Sequence, residues 1–500
     1  MSPVLVVAGV DTGTSGCKVT VLNELGSILA TAFRAYPTHR AHPGWAEQDP
    51  ADWVRAAHQS LAEALELAAA TKGPVELQAL SFSAPHHVAV LCDDQMAPIR
   101  RAIMWTDQRS AAVAQQTARS HGDLIWELCG NAPAATWTLP QMQWLGVHDP
   151  QALTATRRVL FMKDFVRHSF VAAHLTDHVD ASGSLLYNPA ACSWVPELLA
   201  LAGLDAAAMP EVVQPDHVVG RIAEGPARAL GVGLDVTILA GSADTAVELL
   251  AAGCVKPGDH TLKLATAGNV SHVEQSASQT CDAISYPYLI PGTYYLNSAT
   301  NSAAASFEWL ARTFTGDPSV GRDFFQELDR EAAQVRPGSD GLTFHPYLNG
   351  ERAPHWNAAL RASFVGLTSA HGRGHLARAV MEGVAMSMRE ARGPEAPSLG
   401  AATLIGGGAK SSVWADIMAS VFRADLRVPE VADSSLGGAL LAATHLGWLP
   451  TLSETPTFLG VETSGHVADE EAADAYDHAY ANYQRIQQAL QPGYDADHQH

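Results

Sequence analysis

Three short turns in this chain carry residue types suited to phosphate chemistry. Asp11-Thr-Gly-Thr-Ser-Gly16 closes the apolar run Val4–Val10, and Lys18 stands just beyond it. A carboxylate at a strand end, followed by glycine and two hydroxyl residues, can organise a metal ion and offer amides to phosphate. Thr14 and Ser15 would donate from that turn, and Lys18 would add one positive charge. Leu264-Ala-Thr-Ala-Gly-Asn-Val270 is a second hydroxyl-and-glycine turn, with Thr266 and Gly268 as its donors. Ile405-Gly-Gly-Gly-Ala-Lys410 precedes a predicted helix, where Gly407 and Gly408 let backbone approach a flat ligand or a phosphate and Ser412 lies close by. Taken in order, the three turns favour a nucleotide laid across a cleft between two domains.

Two other readings of the first turn compete. Asp, Gly, Thr and Ser are ordinary hairpin-turn residues. Apolar-apolar-Asp-Thr-Gly is also how an aspartic protease presents a catalytic carboxylate, but that chemistry needs two such turns sharing one proton. Asp244-Thr-Ala lacks the glycine and Asp180-Ala-Ser-Gly has an extra residue, so no second copy is present.

The elements that must position these turns are legible in the pattern. Val4–Val10, Lys18–Leu22 and Ser27–Tyr36 read as strands; Asp49 and Pro50 open a helix through Ala51–Ala70. Leu77–Ser83 and Val88–Cys92 follow as strands, and Asp107–Ser120 as a helix. Val236–Ala240 is a β-branched run leading into a helix through Leu250. Thr261–Thr266 and Asn269–Val273 form a predicted hairpin, and Ala402–Ile405 a strand before a helix over Ser411–Phe422. Strands followed by alternating strands and helices predict α/β layers. Two halves that each begin with a glycine-bearing strand turn predict a weak internal duplication. The expected division is 1–234 and 235–490, with a frayed tail over 491–500.

Composition excludes several function classes. The 500 residues carry 31 Lys+Arg against 52 Asp+Glu, a net charge of −21. Such a chain repels phosphate backbones and anionic lipid, so neither nucleic acid nor a membrane surface is an expected partner. With 47% apolar and 17% charged residues it has the composition of a globular protein. Six scattered cysteines without a CxxC pair predict neither a disulfide scaffold nor structural zinc. Without a basic leader or a membrane-length apolar run, the expected location is the cytoplasm.

The motifs together resemble the FGGY family of sugar kinases, within the actin/hexokinase/Hsp70 superfamily, and most closely its xylulokinases. The similarity runs from about Leu5 to Leu449. It includes Gly44-Trp-Ala-Glu-Gln-Asp-Pro50, Trp105-Thr-Asp-Gln-Arg109, Asp180-Ala-Ser-Gly183, Pro346-Tyr-Leu-Asn-Gly-Glu-Arg352, and the stretch from Ala362-Ser-Phe-Val-Gly-Leu367 to His375-Leu-Ala-Arg-Ala-Val-Met-Glu382. The resemblance implies two ribonuclease H-like α/β domains flanking a catalytic cleft, with ATP and Mg²⁺ as cofactors. It implies a small sugar as the substrate, the terminal hydroxyl of a pentulose such as D-xylulose as the acceptor, and homodimers as common among relatives. Ala240-Gly-Ser-Ala-Asp-Thr-Ala246 resembles Gly-Gly-Gly-Asp-Asn-Ala, whose Asp is the catalytic base; that role would fall on Asp244, otherwise a helix N-terminal carboxylate favoured by the dipole. Asp11 would organise the metal, with Asp11 and Asp244 converging from opposite lobes.

Ser83-Ala-Pro-His-His-Val88 departs from the xylulokinase pattern Ser-Gly-Gln-Met-His-Gly. The sugar-touching pair falls on His86 and His87, of which only His87 matches in type. Trp105 and Asp107 form a grouping able to stack on and hydrogen-bond a polyol, with Arg109 orienting Asp107. Gln141 replaces a lysine usual in the family. Kinases for ribulose, an apiose-related sugar or a tetritol, and a sugar-binding relative without chemistry, remain the alternatives.

Overall fold

In the computed structural model, which describes residues 2–280, 283–317, 319–393, 399–460 and 463–497, the opening apolar run is the strand Val4–Thr12. It pairs antiparallel with Gly16–Asn23, which pairs antiparallel with Ile28–Ala35. On its other side it pairs in parallel with Val75–Ala84. The second sheet repeats this plan: His260–Leu264, Gly268–Glu274 and Tyr294–Ala299 are antiparallel neighbours, and Ala401–Ile405 runs parallel to His260–Leu264. Each sheet has seven strands. The duplication expected from sequence is thus visible as a shared strand plan.

The helix Pro50–Lys72 illustrates how local signals become packing. Asp49 accepts from the Ala51 N–H (3.0 Å), and Pro50 fits the first turn, where its missing N–H costs nothing. Trp53, Ala57, Leu61, Ala64 and Ala68 recur every three or four residues and are buried on Gly16–Asn23 and Ile28–Ala35. Burying Leu61 alone contributes about 1.5–3 kcal/mol.

The structure corrects three boundaries. The first sheet does not end at residue 234, because Thr237–Leu239 and Ser242–Ala243 pair in parallel with Val75–Ala84. Their side chains are all buried, as suits strands lying inside a covered sheet. The helix expected from Asp107 begins instead at Ala111, because the Asp107 carboxylate is engaged by backbone and side-chain donors in the loop before it. The tail expected to fray from residue 491 remains helical in Glu470–Asp497, with Tyr494 packed on the core; residues 498–500 lie outside the described residues.

A central apolar core joins the halves, combining Val7 and Leu239 of the first sheet with Val273, Tyr286 and Tyr295 of the second. The helix Ser434–His445 from the second half lies on the first sheet. A Cβ at Gly9 would stand 1.9 Å from the Ser435 carbonyl, so glycine there is what lets the helix approach. No helix among the described residues is long and apolar enough to cross a membrane.

Candidate active site

Strand register brings the acidic residues together. Asp11 pairs with Ser83, and Ser83 pairs with Ser242, two residues before Asp244. Asp11 and Ser242 are therefore two strand spacings apart, about 10 Å. Asp244 thus directly follows a strand of the sheet that holds Asp11, and the expected approach from opposite lobes is corrected by this pairing. The Ser83 hydroxyl donates to Asp11 (2.8 Å). Asp244 opens the helix Asp244–Ala251, and its Oδ1 accepts from the Thr245 N–H (2.6 Å). Its Oδ2 has no hydrogen-bond partner among the described residues.

Two further carboxylates complete the cluster, neither of them singled out in the sequence. Glu248, one turn after Asp244, binds Lys263 (2.7 Å), and Asp433 binds Lys18 (2.7 Å). Burial, and then the charges of Asp244, Asp433 and Glu248, push the Asp11 carboxyl well above its usual range. Burial raises Glu248 as well, with Lys263 opposing. Although burial disfavours the ammonium, the Glu248 charge and hydrogen bonds hold Lys263 above its ordinary value. Asp433 is lowered despite burial, by Lys18, Ser435 and the Leu436 N–H. Four carboxylates thus face two lysines, and both lysines are already engaged. Lys18 pairs with Asp433 while its side chain stays partly exposed. Asp433 was detectable in the sequence as an N-cap before Ser-Ser and an apolar helix; Glu248 and Lys263 had no local signal.

The donors here are all oxygen, the set that suits a hard divalent cation. Among the described residues no three His, Cys, Asp or Glu side chains gather closely enough to chelate a metal by themselves. Most ligands of such a cation would have to be water or phosphate, as Mg²⁺ commonly prefers.

The first turn is held by its neighbours. Tyr36 donates to the Gly13 carbonyl, Gln48 to the Thr14 carbonyl (2.8 Å), and the Trp105 indole to the Thr14 hydroxyl (3.1 Å). The Thr14 and Ser15 N–H groups donate to no acceptor among the described residues. In the second turn the Thr266 N–H is equally unengaged and Thr266 is exposed. Gly268 differs: its N–H meets the Thr300 hydroxyl (3.3 Å), and a Cβ there would strike Met388 at 2.9 Å. Its glycine serves packing, which corrects its expected role as a phosphate donor. In the third turn Gly406 has φ +96° and nearly touches the Leu264 carbonyl, so the second and third turns adjoin. A Cβ at Gly407 would meet nothing within 4 Å, whereas one at Gly408 would stand 2.8 Å from Leu264. Ser412 is exposed beside them, at the start of Ser412–Phe422.

The residues expected to touch sugar divide into two groups. Asp107 is fully buried and receives the Ala46 N–H (2.5 Å), the Arg109 N–H (2.8 Å) and the Arg109 guanidinium (2.8 and 2.9 Å). Arg109 also pairs with Glu47 (2.7 Å) and stacks on Trp45 (3.7 Å). These bonds saturate Asp107, so it orders the loop that carries Trp105, which corrects its expected contact with hydroxyls. Gln141 likewise ties loops together, through the Met104 and Thr136 carbonyls.

His86 and His87 are buried against side chains of the second half. His86 stacks on Tyr286 (4.3 Å, 8°), and its Nε2 lies 2.6 Å from the Tyr295 hydroxyl. His87 has φ +77°, a conformation uncommon outside glycine. Its Nδ1 lies 2.5 Å from the Gly183 carbonyl, which can only accept, so Nδ1 carries the proton. Nε2 is then free to accept from the Tyr286 hydroxyl (3.2 Å). Burial, with His86 adding to it, lowers His87 to about 3.

A testable linkage follows. Above the ordinary value of 6.5 both folded and unfolded His87 are neutral. As pH falls below it, only the unfolded state takes up the proton, so stability is lost on the acid side. In urea melts between pH 7 and 4.5, His87→Gln should lose less of its midpoint on acidification than the wild type. Equal losses would show that His87 does not carry this linkage.

The sequence profile for the N-terminal domain of the FGGY family of carbohydrate kinases matches residues 6–251, and that for the C-terminal domain matches residues 268–446. A xylulose kinase from Staphylococcus epidermidis (strain ATCC 12228 / FDA PCI 1200) is 31% identical over 491 residues, 96% of each chain. A xylulose kinase from Escherichia coli (strain K12) is 31% identical over 495 residues, 97% of this chain and 99% of that one. The crystal structure of xylulose kinase from Rhodospirillum rubrum superposes with a TM-score of 0.88 at 28% identity, covering 98% of this chain and all of that one. With both domain profiles matched and the two-sheet plan shared, the chain belongs to the FGGY family of carbohydrate kinases, enzymes that phosphorylate sugars at the expense of ATP.

Proposed function

We propose that this kinase transfers the γ-phosphoryl group of ATP to the terminal primary hydroxyl of a pentulose, converting D-xylulose to D-xylulose 5-phosphate. The observation that carries the reading is the register that sets Asp11, Ser83 and the Asp244 loop on adjoining strands within one acidic cluster. The xylulose kinases to which the chain is similar over nearly its whole length support the choice of sugar.

In this reading Asp244 Oδ2 accepts the proton of the attacking hydroxyl, and the freed oxygen displaces ADP from the γ-phosphorus. The unengaged N–H groups of Thr14, Ser15 and Thr266 hold phosphate oxygens, and Gly407 leaves room for the adenosine. Asp11, supported by the Ser83 hydroxyl, would hold Mg²⁺ through its waters. When bound, the cation offsets the four-carboxylate charge and that of the phosphates. His86, His87 and Trp105 shape the sugar side.

The test is a coupled assay of ATP consumption across D-xylulose, D-ribulose, an apiose-related ketose and a tetritol. D-Xylulose should give the highest kcat/KM. Strong turnover with another member, and none with D-xylulose, would reject the substrate while keeping the kinase. Tight sugar binding without turnover of any member would point instead to a non-catalytic binding protein.

A further inference from the structure

We infer that Ser242 and Asp177 are positioning residues for Asp244, fastening its loop to a buried cluster of ions; the inference rests on the reading of Asp244 as proton acceptor. The loop Ala240–Asp244 lies hard against the strand Val75–Ala84. Gly241 has φ +76°, and a Cβ there would stand 1.9 Å from the Phe82 carbonyl. On its other side the loop is gripped at two points that flank Gly241. Arg167 donates to the Ala240 carbonyl (3.0 Å), and the Ser242 hydroxyl donates to Asp177 Oδ2 (3.0 Å).

Both grips lead into one cluster. Lys163 lies 2.6 Å from Asp164, 2.9 Å from Asp177 and 3.5 Å from Asp180, and Arg167 lies 2.6 Å from Asp164. Asp177 also caps the helix His178–Ser182, accepting the Val179 N–H (2.9 Å). None of these five residues has measurable exposure. From Asp180 the cluster continues to His86 Nδ1 (3.5 Å), so the sugar side and the catalytic loop share one support.

A buried cluster of this kind contributes little net stability, because desolvation offsets attraction; what it supplies here is two fixed hydrogen-bond partners for the loop. Asp244 needs such support, since among the described residues its own hydrogen bonds are only to the adjacent Thr245. The segment otherwise resembles Gly-Gly-Gly-Asp-Asn-Ala, with Ser242 in place of the second glycine.

The experiment is steady-state kinetics on the full chain, with ATP and D-xylulose or whichever panel sugar turns over fastest. Ser242→Ala should lower kcat about tenfold, with both KM values changed less than about twofold, as expected for a slightly misplaced catalytic group. Ser242→Gly, which strips the hydroxyl without adding a methyl group, should do the same. In an Asp244→Asn background, Ser242→Ala should cause no further loss of residual turnover, because both act through one carboxylate. Wild-type kcat in both single variants, a rise in KM alone, or losses that add to those of Asp244→Asn would overturn the inference. A fully active Asp244→Asn enzyme would instead overturn the underlying role of Asp244.

Discussion

Asp244→Asn is expected to lower kcat by roughly 10³-fold or more, the scale of a lost general base in a preorganised site, while ATP binding survives. The amide keeps the shape and the Thr245 contact but cannot take the proton of the acceptor hydroxyl. Binding should hold, and even tighten, because one of the four clustered carboxylates is neutralised. After burial itself, Asp244 is the largest influence raising the Asp11 carboxyl, so its removal also eases ionisation of Asp11. Release of ADP measures turnover, and calorimetric titration measures ATP affinity. Turnover within tenfold of the wild type would remove Asp244 from the chemistry, and a matching loss of ATP affinity would assign it to binding.

Lys163→Met should cost stability on the scale of about 3–5 kcal/mol, because it strips one partner from a buried ion cluster. Lys163 is fully buried, and Asp164, Asp177 and Asp180 hold its ammonium above the ordinary value against the opposing effect of burial. Methionine fills similar volume, so the loss reports charge more than packing. In the wild type Asp180 is already raised by burial, with Lys163 as the strongest opposing influence. Without Lys163 it rises further. A carboxyl whose folded value exceeds its unfolded one stabilises fully below the unfolded value, and that contribution is lost as pH climbs through the folded one. The deficit of the variant should therefore be smaller at pH 5 than at pH 8, read as urea midpoints against the wild type. Equal deficits at both values, or an unchanged midpoint, would show that the cluster is not held by this charge.

The contrast between these residues separates what was legible in the sequence from what was not. Asp49 and Pro50 marked the start of a helix because capping depends on a handful of neighbouring residues. The strands around Asp11, the second hairpin and the glycine turn after Ala401–Ile405 were legible for the same reason. Asp107 misled because its type and loop position suit a ligand contact equally well; only the fold shows its oxygens already engaged. Gly268 misled likewise, its N–H being claimed by Thr300 from another strand.

The order of the motifs by itself determined a duplicated α/β kinase with acidic residues at the ends of particular strands, because each turn is specified by contiguous residues. What only the tertiary structure decided is which charges meet. Lys18 finds Asp433 across 415 positions of chain, and Ser242 finds Asp177 across 65. Parallel register and helix packing make those meetings, and both are set by burial of whole surfaces that no short stretch of residues encodes.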